Sequence, residues 1–104
     1  MRLVTVIILP HRLDEVRAAL RAFGISQCTV TPVLQTAGRG RPEIYRGVAS
    51  ERTLRPRAKM EIVADDLDAY DIMRVVAVTI AGTGTIWITH LDQAVSIRTR
   101  APLP

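Results

Sequence analysis

Six arginines crowd one stretch of this chain. Arg39, Arg41, Arg46, Arg52, Arg55 and Arg57 fall between Gln35 and Arg57, against two acids, Glu43 and Glu51. Six against two leaves +4, which equals the formal net charge of the whole chain, so the remainder is neutral. Arginine grips phosphate and carboxylate with a planar, bidentate fork, so the implied chemistry is recognition of an anionic ligand or an acidic partner groove. A biased genomic base composition enriches arginine too, and Lys59 is the single lysine among fourteen basic residues. A second set, Gly82-Thr83-Gly84-Thr85, can offer backbone N–H groups and hydroxyls to an anion, although such a turn is first of all a helix stop. His11, Cys28 and His90 are too scattered to form a metal-ligand spacing, so no metal is expected. No serine, threonine or cysteine has a base partner in sequence, and nothing reads as a catalytic constellation. The reading is a non-enzyme that binds.

The arginine stretch has no helical or strand period, and Gly38, Gly40, Pro42, Gly47 and Pro56 punctuate it. Compact domains rarely carry an unstructured connection beyond about 12–15 residues unless it is functional or disordered. Around it, 48% hydrophobic and 23% charged residues describe a globular chain, and 104 residues allow one domain spanning 1–104 with a single modest core. A lone Cys28 rules out an internal disulfide and suits a reducing compartment. The apolar run Leu3–Leu9 is too short to cross a bilayer and lacks a cleavage site, so the expectation is a cytoplasmic protein that is not membrane-inserted.

The elements that position these groups follow from pattern. Leu3–Leu9 is β-branched and apolar in both parities, a strand buried on both faces, ended by Pro10. His11 to Phe23 carries a helical stripe of Leu13, Val16, Leu20 and Phe23, with Gly24 placed to terminate it. Ile25 to Leu34 is strand-like, Pro32 marking an edge or a bulge. After the long loop, Ala58, Met60, Ile62 and Ala64 alternate with Arg57, Lys59, Glu61 and Val63 in a half-buried strand. Asp65 or Asp66 caps a second helix running to about Ala81, with the acids Asp65, Asp66, Asp68 and Asp71 dressing its start. Thr85 to Thr89 is a fourth strand, Val95–Arg98 a last extended piece, and 101–104 a flexible tail. The order β-α-β-loop-β-α-β predicts an α+β, ferredoxin-like sandwich. Two helices cover one face of a four-stranded sheet, so the two-sided first strand predicts that another copy covers the other face.

Several segments resemble one family, the PII-type signal-transduction proteins of nitrogen regulation. The matching text is Val6-Ile7-Ile8-x-Pro10, Leu13-Asp14-Glu15-Val16-Arg17-x-Ala19-Leu20, Gly24-Ile25 and Thr29-Val30-Thr31. It continues through Glu43-Ile44-Tyr45-Arg46-Gly47 and Lys59-Met60-Glu61-Ile62-Val63 to Asp92-Gln93-Ala94-Val95-Ser96-Ile97-Arg98-Thr99. The resemblance implies a homotrimer that binds adenine nucleotide in clefts between neighbours. The long segment Gln35–Arg57 then corresponds to the family's T-loop, which engages a membrane transporter or a metabolic enzyme. By alignment, the nucleotide-binding candidates are Ile7, Thr29, Gly38, Arg39, Arg57, Glu61, Ile62, Val63, Gly82, Thr83, Gly84, Thr85 and Arg98. The candidates for partner contact are Arg41, Glu43, Tyr45, Arg46, Ser50 and Arg52.

The departures from the family pattern bear on the ligand. The glycine segment is shortened, so Thr83 stands where the family has aspartate and Thr85 where it has a phosphate-binding lysine. Ser96 replaces an arginine, Gly40 a glutamine that holds MgATP and 2-oxoglutarate, and Ser50 a tyrosine that some members have modified. The loss of positive charge weakens a triphosphate most. The expected ligand is therefore ADP, AMP or a cyclic nucleotide ahead of ATP with Mg, or a small anion such as bicarbonate. The alternatives are a nucleic-acid-binding ferredoxin-like module, disfavoured because Trp87 is the only plausible stacking residue on the strands, and a structural adaptor without a ligand.

Overall fold

The computed structural model describes residues 1–36, 44–45, 48–49 and 54–101. Strand β1 (Arg2–Ile8) leads through a 3-10 turn at Pro10–Arg12 into helix α1 (Leu13–Phe23) and edge strand β2 (Thr29–Thr36). Two short pieces, β3 (Ile44–Tyr45) and β4 (Val48–Ala49), pair with each other. Strand β5 (Leu54–Ala64), helix α2 (Asp66–Thr79) and strand β6 (Gly84–His90) follow. The main sheet has the order β2-β5-β1-β6 with every neighbour antiparallel, and this is the ferredoxin-like topology expected from the element order.

Each boundary has a local cause. Pro10 opens the 3-10 turn, so the α-helix begins at Leu13 rather than His11. Asp14 and Glu15 sit in the first turn of α1 and Arg21 in its last, matching the macrodipole. Gly24 takes φ 105°, and the N–H groups of Gly24 and Ile25 donate to the carbonyls of Arg21 and Leu20, closing a Schellman motif. Asp65 caps α2, its carboxylate accepting the Asp68 N–H at 2.7 Å. That helix ends at Thr79, slightly before the expected Ala81.

The core lies between the helices and one face of the sheet. Val4, Val6 and Ile8 of β1 and Met60 and Ile62 of β5 meet Val16 and Leu20 of α1 and Ala69, Ile72 and Val76 of α2, all buried. Each large apolar side chain removed from water in this way contributes about 1.5–3 kcal/mol. No helix among the described residues covers the other face. There Thr5 and Ile7 are nevertheless buried, at 2% and 8% exposure, because β5 and β6 flank β1 on both sides. The two-sided apolar pattern of β1 thus follows partly from its central position in one chain. Among the described strand residues, Val63 and Trp87 are the large apolar side chains left exposed on that face.

Two sequence expectations need correction. The stretch Gln35–Arg57 does not lack strands at its ends, because β2 runs on to Thr36 and β5 begins at Leu54, with Thr36 opposite Leu54 and Gln35 opposite Arg55. Pro32 and Pro56 disguise this ribbon by breaking the alternation that marks a strand. The piece around Val95–Arg98 is not an extended strand either. Val95 makes a single bridge, residues 97–99 turn, and the Arg100 N–H donates to the Ser96 carbonyl at 2.6 Å. A turn satisfies this backbone because, among the described residues, the sheet offers it no longer run of pairing. Residues 102–104 of the expected tail lie outside the described residues.

Candidate functional site

Strand parity sorts the candidate residues. On β5 the even positions Ala58, Met60, Ile62 and Ala64 enter the core, so the odd positions Arg57, Lys59, Glu61 and Val63 stand on the helix-free face. Cross-strand register then builds rows on that face. Thr29 lies opposite Glu61, Glu61 opposite Thr5, and Thr5 opposite Trp87. The next row runs Thr31, Lys59, Ile7 and Thr85. Ile7, Thr29, Arg57, Glu61, Val63 and Thr85 therefore share one face. Ile62 does not: its side chain is 1% exposed and packs beneath the helices.

A groove of about 370 Å3 opens at one corner of this face, with Thr29, Glu61 and Val63 in its wall. The connection from α1 to β2 forms the rest, including Ser26, Gln27 and Cys28, and the start of α2 adds Asp65 and Asp68. Cys28 is a free thiol whose body also packs on the core. Among the described residues three carboxylates and no cation line the groove, so it favours hydroxyl and amine donors over phosphate. Among the described residues no group of three or more His, Cys, Asp or Glu is arranged to hold a metal ion.

The glycine turn sits elsewhere. Gly84 faces Ile8 and Thr85 faces Ile7, which puts the turn at the end of β1 away from the groove. It also lies on the far edge, since β6 and β2 bound opposite sides of the sheet. Three strand spacings amount to about 14 Å, and the three to five residues along the strands add about 10–17 Å. Within one chain the groove and the turn occupy diagonal corners. Gly82 takes φ 140°, a conformation that favours glycine. Gly84 has a packing reason: a Cβ there would stand 3.2 Å from the Ile7 carbonyl oxygen and 3.4 Å from the Ile80 side chain.

The remaining candidates divide by place. Arg57 lies at the base of the β2–β5 ribbon and donates to the Pro56 carbonyl at 2.8 Å. Arg98 is exposed in the turn after β6. Gly38, Arg39, Arg41, Glu43, Arg46, Ser50 and Arg52 lie outside the described residues, and Tyr45 is described only as part of the β3–β4 pair. Sequence reading passed over Lys59, whose parity places it between Arg57 and Glu61, and the groove residues Ser26 to Cys28, which no periodicity marks. Two carboxyls outside the site are shifted. Arg12 holds Glu15 below its usual range through a hydrogen bond and ion pair, and the Met1 amino group, helped by Arg2, does the same to Asp66.

The family model described as nitrogen regulatory protein P-II matches residues 1–101. The chain belongs to the P-II family. It is 40% identical to the nitrogen regulatory protein GlnK of Escherichia coli (strain K12), over 95% of this chain and 93% of that protein. Identity is 42% to nitrogen regulatory protein P-II of Rhizobium etli, with the same coverage. It is 37% to nitrogen regulatory protein P-II 2 of Methanothermobacter thermautotrophicus, covering 95% of this chain and 90% of that one. As a P-II family member the chain has the α+β sandwich expected from its element order, and no helix among the described residues is long and apolar enough to cross a membrane.

Proposed function

We propose that this chain is a nitrogen-regulatory signalling protein that assembles as a homotrimer and binds an adenine nucleotide in the clefts between neighbouring copies. It controls a partner, a membrane transporter or a metabolic enzyme, through its arginine-rich arm. The observation that carries this reading is the diagonal placement of two half-sites. One corner of the helix-free face offers Thr29, Glu61 and Val63 in a groove, and the opposite corner offers Gly82, Thr83, Gly84 and Thr85 with Ile7 beside them. No single chain can close these on one small molecule, but a ring of copies brings the groove of one to the turn of the next.

In such a cleft the carboxylate-lined groove takes the base and sugar, whose amine and hydroxyls donate. The phosphates lie on the neighbour's glycine turn, with Arg57 and Arg39 at the root of the arm and Arg98 supplying charge. Thr83, Thr85 and Ser96 leave the turn poor in cations. A hydrogen bond to a charged group is worth about 1.5–3 kcal/mol, so each missing cation costs about 10- to 100-fold in affinity for a triphosphate. AMP, ADP or a cyclic nucleotide is favoured over MgATP, and a small anion such as bicarbonate can use the same turn.

Titration calorimetry with AMP, ADP, ATP and cyclic AMP, run alongside sedimentation, tests both halves of the reading. The expected result is a trimer that binds a mono- or diphosphate more tightly than ATP. A folded trimer that gives no binding heat with any of the four ends the nucleotide reading, and a folded monomer at micromolar concentration ends the cleft.

A further inference from the structure

A second concavity lies on the helix side of the ribbon and shares only Val33 and Arg57 with the face described above. It encloses about 500 Å3 and is walled by Pro10, Leu13, Val30, Pro32, Leu34 and Pro56. Leu34 is 66% exposed and Val30 39%, so the apolar row that enters the core farther along the sheet continues here without a helix over it. We infer that this groove seats an acidic segment of a partner protein that carries an aliphatic anchor, a fixed seat beside the arm. The inference rests on the reading that the chain acts through a protein partner.

The surroundings select that occupant. Strand β5 carries Arg55, Arg57, Lys59 and Glu61 at odd positions, and Arg55, Lys59 and Glu61 stand on the helix-free side of the ribbon. Arg57 is itself part of the groove wall. An apolar slot with an arginine in its wall complements an aliphatic side chain flanked by a carboxylate. Strand addition is the wrong mode, because Pro32 in the middle of edge strand β2 has no N–H to give. A second copy docking groove to groove would set Arg57 against its own counterpart, which opposes that contact. Nucleic acid matches the charge and brings no aliphatic anchor.

Fluorescence anisotropy with labelled peptide probes tests the seat directly. A peptide of repeating Leu-Glu should bind saturably and at least tenfold more tightly than one of repeating Ser-Glu or Leu-Lys. Leu34→Asp, at an exposed position, should weaken the Leu-Glu peptide at least tenfold, and Arg57→Gln several-fold. Leu67→Asp changes a leucine on α2 that is more exposed still, at 82%, and should leave peptide binding as it was. Equal affinity for Leu-Glu and Ser-Glu, or indifference to Leu34→Asp, overturns the inference. Vesicles of phosphatidylglycerol provide the other arm: Leu34-dependent binding to them in place of the peptide reassigns the groove to a lipid surface. Because the assay needs no nucleotide, a chain that takes the peptide but no nucleotide refutes the cleft and keeps the seat.

Discussion

Gly84 is where one hydrogen atom matters. Its backbone lies so close to β1 that a methyl group would press on the Ile7 carbonyl, and neighbouring Ile8 and Ile80 leave little slack. Gly84→Ala should therefore cost about 1–3 kcal/mol, the usual penalty for overpacking, read as a lowered urea midpoint with an unchanged slope. Glu15 gives a different kind of prediction. Its carboxyl is lowered chiefly by the hydrogen bond from Arg12, whose Nε lies 2.6 Å away. A carboxyl depressed in the folded state contributes stability above its unfolded pKa and loses it as pH falls through the folded pKa. The Glu15 carboxyl resonance should thus titrate below the ordinary glutamate range, and Arg12→Gln should return it there. A titration unmoved by that substitution would show the shift has another cause.

At the scale of elements, α2 illustrates how firmly the fold is specified. Ala69, Ile72 and Val76 form its buried stripe, and Ile72 is completely enclosed. Ile72→Ala should cost about 2–5 kcal/mol, a loss of transfer energy plus a cavity, measurable by thermal or urea unfolding. This stripe was legible in the sequence because helical spacing survives tertiary packing. So were the Gly24 terminus and the Asp65 cap, each set by a local chemical need. The ribbon that ends at Thr36 and Leu54 was not legible. Its pairing is a property of two distant segments, and Pro32 and Pro56 erase the local alternation that would announce it. The groove beside Thr29 escaped for a related reason. Ser26, Gln27 and Cys28 come together with Asp65 and Asp68 only through the register of β2 on β5, which sequence periodicity does not encode.

For the whole molecule, the decisive arrangement is the division of candidate residues between two corners of one face. Resemblance supplied which residues to consider, and the sheet order sets Thr29, Glu61 and Val63 diagonally across from the glycine turn. If the glycine turn receives phosphates, its poverty in cations sets the ligand preference. Thr85→Lys restores a charge on the helix-free face next to Ile7 and should raise affinity for ATP by about tenfold or more relative to AMP, by calorimetry. A mutant whose ATP-to-AMP ratio stays fixed would place the phosphates elsewhere.

One residue on that face also equips the chain to report on itself. Trp87 is the only tryptophan, it stands beside Thr5 among the helix-free rows, and it is 42% exposed. Its indole emission depends on how much water surrounds the ring. Anything that settles over the face, another copy or a ligand reaching across from the groove, dries the ring and shifts its emission to shorter wavelength. Dilution and titration can then be followed by intrinsic light alone, without a label or an added cysteine.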